Sequence, residues 1–261
     1  MLGPDQVHVW RIDLTDSRWD TWQWVLDDAE HARASRFKTA ALQARWRRCR
    51  SALRCILANY TEVAPAALQL LTNQFGKPAL AGTPVHFNLS HISDWALVAI
   101  SHQSIGVDIE PRVRPEIAVA EIAPLVCHPE EDAALQALAG KAANQALMRL
   151  WTQKEAYVKA LGVGLQHPLT SVRVIPGQHP GCSVVLDHSR PATPQFFMYD
   201  VEAPPQCQAS LCISTCEAVV RARDASVFLP LTPGFQKADT KGQHHSVNQV
   251  AGAQWLDQGG Q

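Results

Sequence analysis

The chain has 261 residues, 46% of them hydrophobic, and a formal net charge of −1, a composition that builds a globular core of ordinary size. So neutral a balance gives no electrostatic sign of a nucleic-acid or membrane partner, and no apolar run reaches the ~20 residues that a bilayer span requires. Asp5, His8, Arg11 and Asp13 interrupt the first segment, which excludes the apolar centre of a signal peptide.

In chain order, residues 7–14 alternate around Val9 and Ile12 and predict an opening strand. Residues 26–36 turn helical and carry Arg33 and Arg36. From 39 to 60, Leu42, Trp46, Cys49, Leu53 and Ile56 keep a helical period, flanked by Arg45, Arg47, Arg48, Arg50 and Arg54. No acidic residue stands between Glu30 and Glu62, so this region is a basic patch: either a solvated helix face or a phosphate-binding surface. A short helix is expected at 65–71. Asn73-Gln74-Phe75-Gly76-Lys77-Pro78 then forms a turn that holds Lys77. Strands at 85–89, running into Ser90-His91, and at 96–101 follow.

Next comes Ile105-Gly106-Val107-Asp108-Ile109-Glu110. In a strand, alternate side chains share a face, so Ile105, Val107 and Ile109 enter a core while Asp108 and Glu110 project together on the other side. Like charges so placed call for a cation or a shared proton. Helices are expected at 116–126 and 129–138, where Pro129, Glu130, Glu131 and Asp132 suit a helix start. A third helix, 142–161, ends at Gly162. Its apolar stripe runs through Leu147, Leu150, Trp151, Val158 and Leu161, with Glu155 on the shoulder. Lys154 lies mid-stripe, a costly place for a charge unless an anion meets it. Oxygen ligands from Asp108, Glu110 and Glu155 suit Mg²⁺ better than zinc; the plainer reading is a solvated acid pair and a surface helix. Further strands are expected at 171–174, 183–186, 196–201 and 208–214. The seven cysteines form no CxxC pair and fit reduced thiols of the cytoplasm, and Cys207, Cys212 and Cys216 lack a second pair at zinc spacing. The organisation expected is two halves, 1–103 and 104–225, with a poorly ordered tail over 226–261.

Taken in order, Arg36-Phe37, Phe75-Gly76-Lys77-Pro78, Phe87-Asn88-Leu89-Ser90-His91, the carboxylate strand, and Trp151-Thr152-Gln153-Lys154-Glu155-Ala156-Tyr157-Val158-Lys159 followed by Gly162-Val163-Gly164-Leu165 resemble the 4′-phosphopantetheinyl transferases of the surfactin (Sfp) type. The resemblance implies an α+β fold of two pseudo-symmetric α/β halves with the active site in the cleft between them. The implied reaction moves phosphopantetheine from coenzyme A to a serine hydroxyl of an apo acyl or peptidyl carrier protein, leaving adenosine 3′,5′-bisphosphate. It further implies Asp108, Glu110 and Glu155 as ligands of Mg²⁺, with Mn²⁺ as the alternative ion. Glu155 would serve as base, with Lys159 and His91 as catalytic partners. Arg33, Arg45, Lys77, Ser90, His91, Lys154 and Lys159 would contact coenzyme A. Glu30 and Trp46 depart from the family pattern at the nucleotide end. The carrier is expected to dock over 111–138, on a cytoplasmic monomer without nucleic acid or membrane. Two other readings keep parts of this pattern: a synthase restricted to the fatty-acid carrier, which the length and two-half organisation disfavour, and a non-catalytic protein that binds coenzyme A or a carrier.

Overall fold

The computed structural model describes residues 2–177, 181–191 and 194–229, apart from the side chain of Leu165. Strand β1 (Gln6–Asp13) leads through a 3₁₀ segment (Ser17–Val25) to helices α1 (Asp28–Ala34) and α2 (Ala40–Ala58). The hairpin β2 (Leu70–Thr72) and β3 (Pro78–Leu80) precedes β4 (His86–His91), β5 (Trp95–Ser101) and β6 (Ile105–Pro111). Helices α3 (Val119–Val126), α4 (Pro129–Gln136) and α5 (Gly140–Leu161) follow. Then come β7 (Val172–Pro176), β8 (Cys182–Asp187), β9 (Phe196–Val201), β10 (Cys207–Ile213) and β11 (Val219–Asp224).

Local chemistry sets the ends of the two long helices. The Thr39 hydroxyl accepts from the Leu42 N–H to start α2, supplying one of the bonds that a first turn lacks. Gly162 takes φ +71° and closes α5 through its N–H to the Val158 carbonyl, a left-handed turn that a side chain would oppose.

Two sheets form, in the orders β11-β1-β5-β4 and β6-β10-β9-β8-β7, beside the small β2-β3 hairpin. The alternation in β1 fills two interfaces at once. Trp10 and Ile12 meet Leu53, Ile56 and Leu57 of α2, whereas Val7 and Val9 meet Ile105, Val107 and Leu211 of the second sheet. On that sheet's far face, Ala156, Tyr157 and Ala160 of α5 pack on Val172, Phe196 and Met198, and α3, α4 and α5 share a further cluster around Leu135 and Leu147. The layers therefore run helix, sheet, sheet, helix, and the expected α+β class is met.

Two expectations change. Residues 65–71 are a single 3₁₀ turn (Pro65–Ala67) and then β2, because the hairpin claims the chain at Leu70. Residues 219–229 belong to the first sheet's core: β11 pairs parallel with β1, and Ala225 and Leu229 are buried against that core. The remainder of the expected tail lies outside the described residues.

Candidate active site

Strand β6 is an edge of its sheet, and an edge leaves alternate N–H groups without a ladder partner. Here β4 supplies side chains in place of a strand: Asn88 Oδ1 accepts from the Val107 N–H at 2.9 Å, and Ser90 Oγ accepts from the Ile109 N–H at 3.4 Å. This ties the two sheets edge to edge and carries Ser90 to the base of Asp108.

Gly106, Asp108 and Glu110 share the face that α5 covers. A Cβ built on Gly106 would lie 2.0 Å from the Ala156 carbonyl oxygen and 2.4 Å from the Ala160 nitrogen, so only glycine permits this approach. One step along the strand, the Lys159 ammonium donates to Asp108 Oδ1 at 2.5 Å and to Ser90 Oγ at 2.9 Å, while Ser90 donates to the same Oδ1 at 2.8 Å. Asp108 is 3% exposed, and its other oxygen, Oδ2, is buried with no hydrogen-bond partner. An unpaired carboxylate oxygen in such a place is costly without a cation or donor to meet it.

Glu110 accepts from Arg114 at 2.5 Å. Burial first, and then the Asp108 charge, raise its pKa above the ordinary carboxylate value, with Arg114 opposing. Glu155 stands one helical turn before Lys159, and among the described residues its carboxylate has no hydrogen-bond or ion-pair partner. Its pKa is also raised, by burial and then by Asp108, with Lys159 opposing and Glu110 adding. The Asp108 charge thus bears on both glutamates, yet among the described residues no three His, Cys, Asp or Glu side chains are arranged as a ready metal cage. The expected cage is not preassembled, and Lys159 and Arg114 supply the neutralising charge. The unpaired Asp108 Oδ2, the free Glu155 carboxylate and an all-oxygen donor set fit a hard divalent cation. His91 ends β4 and is exposed overall; the protein packed around its ring, and then the Lys159 ammonium, lower its pKa.

Other expected contacts lie elsewhere. Lys154 is fully buried, and its ammonium is used up by Glu131 at 2.6 Å, the Val126 carbonyl at 2.8 Å and the Leu169 carbonyl at 3.0 Å. Glu131, which also caps α4, is the anion that its mid-stripe position demands, and Lys154 stands here as half of a core ion pair. Lys77 donates to the carbonyls of Ile105 and Ala160, both at 3.1 Å, and burial lowers its pKa to about 8. In this structure its ammonium fastens the hairpin to the end of α5. Ser90 Oγ is engaged by Asp108, Lys159 and the Ile109 N–H. Arg45 pairs with Asp94 at 2.6 Å, and Arg33 lines a hollow of about 450 Å³ with Ala29, Arg36 and Phe37. Most of the basic patch on α2 is paired internally: Arg48 with Asp20, Arg50 with Glu30, and Arg54 with Asp27 and Glu30. Glu30 is therefore the buried counterion of α2. Beyond His91 and Glu110 opens a groove of about 1500 Å³ walled by Ile92, Trp95, Arg112, Ile117, Ala143 and Cys207.

Residues 104–216, which contain this carboxylate strand and α5, match the model of the 4′-phosphopantetheinyl transferase superfamily. The 4′-phosphopantetheinyl transferase HetI of Nostoc sp. is 35% identical over 171 residues, covering 63% of this chain and 72% of that protein. The chain belongs to the 4′-phosphopantetheinyl transferase family. Its similarity extends to the transferase gsp of Aneurinibacillus migulanus, 37% identical over 99 residues (38% of this chain, 40% of that one). The transferase Sfp of Bacillus subtilis is 30% identical over 138 residues (52% and 60%). Within a transferase of this family, Asp108, Lys159 and Ser90 form the joint between the halves of the site. Asn88, Gly106 and Arg114 are needed to build it and carry no signal by residue type; Asn88 and Gly106 were visible only as members of longer motifs.

Proposed function

We propose that the cleft beside Asp108, Glu110 and Glu155 receives the pyrophosphate of coenzyme A and the serine hydroxyl of an apo carrier protein, and that the chain transfers the 4′-phosphopantetheine group between them. The observation that carries this reading is the half-satisfied Asp108: one oxygen locked by Lys159 and Ser90, the other buried and unpaired. Mg²⁺, held by Asp108, Glu110 and Glu155, would offset the charge of the pyrophosphate and hold its phosphorus for in-line displacement; Mn²⁺ has the same donor preference. Lys159 lies within reach of charge building on the phosphate oxygens, and His91 at the rim shares that task. Glu155, whose carboxylate has no partner among the described residues, accepts the proton of the serine as the oxygen attacks.

Arg33 at its hollow, and Arg45 on exchanging Asp94 for phosphate, serve the nucleotide end. The groove beyond Glu110 overlaps residues 111–138 and gives the carrier a largely apolar wall, with Arg112 and Lys141 offset by Asp94 and Asp132 on it. The reading takes the chain as a cytoplasmic monomer acting on a carrier of fatty-acid, polyketide, peptide or siderophore synthesis. Among the described residues no helix is long and apolar enough to cross a membrane. Glu155→Gln tests the base: turnover should fall by about 10²–10⁴-fold with coenzyme A binding little changed. Turnover within about threefold of the parent would remove Glu155 from that role.

A further inference from the structure

The two strand carboxylates are held by the same device. Asp108 has one oxygen on a cation, Lys159, and its other oxygen unpaired. Glu110 has Oε2 on a cation, Arg114, at 2.5 Å, and Oε1 makes no hydrogen bond among the described residues. Lys159 is placed by a long helix, whereas Arg114 sits on an irregular segment between β6 and α3, where a flexible side chain would find no fixed direction. Its backbone is fixed instead by one side chain. Asn144, in the first turns of α5 and 7% exposed, accepts from the Arg114 N–H at 2.9 Å through Oδ1 and donates to the Arg114 carbonyl at 2.8 Å through Nδ2. Both halves of the amide are committed to the same residue, as a neighbouring strand would be.

The geometry points to Asn144 and Arg114 as positioning residues for Glu110: α5 clamps the Arg114 backbone through Asn144, and the guanidinium turns the Glu110 carboxylate so that Oε1 is left for the divalent cation. The inference rests on the carboxylate reading given above. It assigns α5 two tasks at separate points along its length, since the helix that brings Glu155 and Lys159 to Asp108 also aims Glu110 from its N-terminal end. A partner that orients a metal-binding carboxylate is typically worth about 10–100-fold in metal affinity or activity.

Electrostatics alone makes the opposite prediction for Arg114. Removing a positive charge beside three carboxylates should tighten cation binding, whereas losing an orienting bond should weaken it. The test uses the full chain and Mn²⁺ alone, titrated calorimetrically without coenzyme A, on the parent, Arg114→Gln, Asn144→Leu and Asp108→Asn. Arg114 is a third exposed, so its variant folds even if Asn144→Leu does not. The expected result is Mn²⁺ affinity about tenfold weaker in Arg114→Gln, a similar loss in Asn144→Leu with Arg114 still charged, and a lower kcat in both with KM for coenzyme A within about threefold. Arg114→Gln binding Mn²⁺ as tightly as the parent or more tightly overturns the inference. If it does so while Asp108→Asn weakens binding, the positioning role falls and the carboxylate site stands. If the parent binds no Mn²⁺, both fall.

Discussion

Replacing Gly106 by alanine adds one methyl group at the tightest point between β6 and α5. The added carbon would lie 2.0 Å from the Ala156 carbonyl oxygen, against a floor of 3.0 Å for such contacts, so the helix must withdraw by about 1 Å or the strand must bend. Neither neighbour is a flexible side-chain end; both are helix backbone, held by its own hydrogen bonds. Overpacking of this kind costs about 1–3 kcal/mol of stability. The larger effect falls on the site, because Lys159 reaches Asp108 at 2.5 Å from the same stretch of helix, and a misplacement of ~1 Å lowers turnover by about 10²-fold. The assay is the rate of holo-carrier formation for the parent and Gly106→Ala, at a temperature where thermal unfolding shows both folded. Turnover within about threefold of the parent would mean that the approach at Gly106 does not set the active geometry.

Two further substitutions test the buried polar groups. Lys154→Met removes the cation from a buried pair and leaves Glu131 uncompensated, so stability should fall by about 3–5 kcal/mol; KM for coenzyme A in the folded fraction should be unchanged, and a large rise in it would restore Lys154 as a ligand. His8 hydrogen-bonds Tyr60 at 2.6 Å and offers Nε2 to Arg223 at 3.2 Å; burial, then Arg223, the N-terminus and Arg221, lower its pKa from 6.5 to about 4. Between those values the unfolded chain binds the extra proton, so a contribution of about 3 kcal/mol, complete above pH 6.5, is lost as pH falls towards 4. Melting temperatures at pH 7 and 4.5 should therefore converge in His8→Phe, and an equal acid loss in parent and variant would refute it.

How much of this was legible in sequence depends on how far each residue's partner lay along the chain. The alternation from Ile105 to Glu110 names its own two faces, and the stripe of α5 with Gly162 at its end names the helix that meets them. The mid-stripe position of Lys154 calls for an anion; its partner, Glu131, sits on the preceding helix, where its place in the first turn reads as a helix-start acid, a role it also fills. The basic run on α2 looked unopposed because Asp20, Asp27, Glu30 and Asp94 come to it from other segments. Lys77 looked like a nucleotide contact because a lysine in a loop gives no sign that two carbonyls await it. Strand β11 carries no clear signal because four of its six residues are exposed and its pairing partner is the first strand of the chain. The clamp of Asn144 on Arg114 had no sequence signal at all, since asparagine early in a helix serves many purposes.

Intact-mass analysis of an apo carrier protein incubated with coenzyme A and Mg²⁺, using the parent and Asp108→Asn side by side, tests the central claim most directly. The parent should add the mass of one phosphopantetheine group to the carrier serine and release adenosine 3′,5′-bisphosphate, while Asp108→Asn, folded, should fall by at least about 10²-fold in rate. A carrier modified equally fast by both proteins, or by neither across several carrier types, would contradict it.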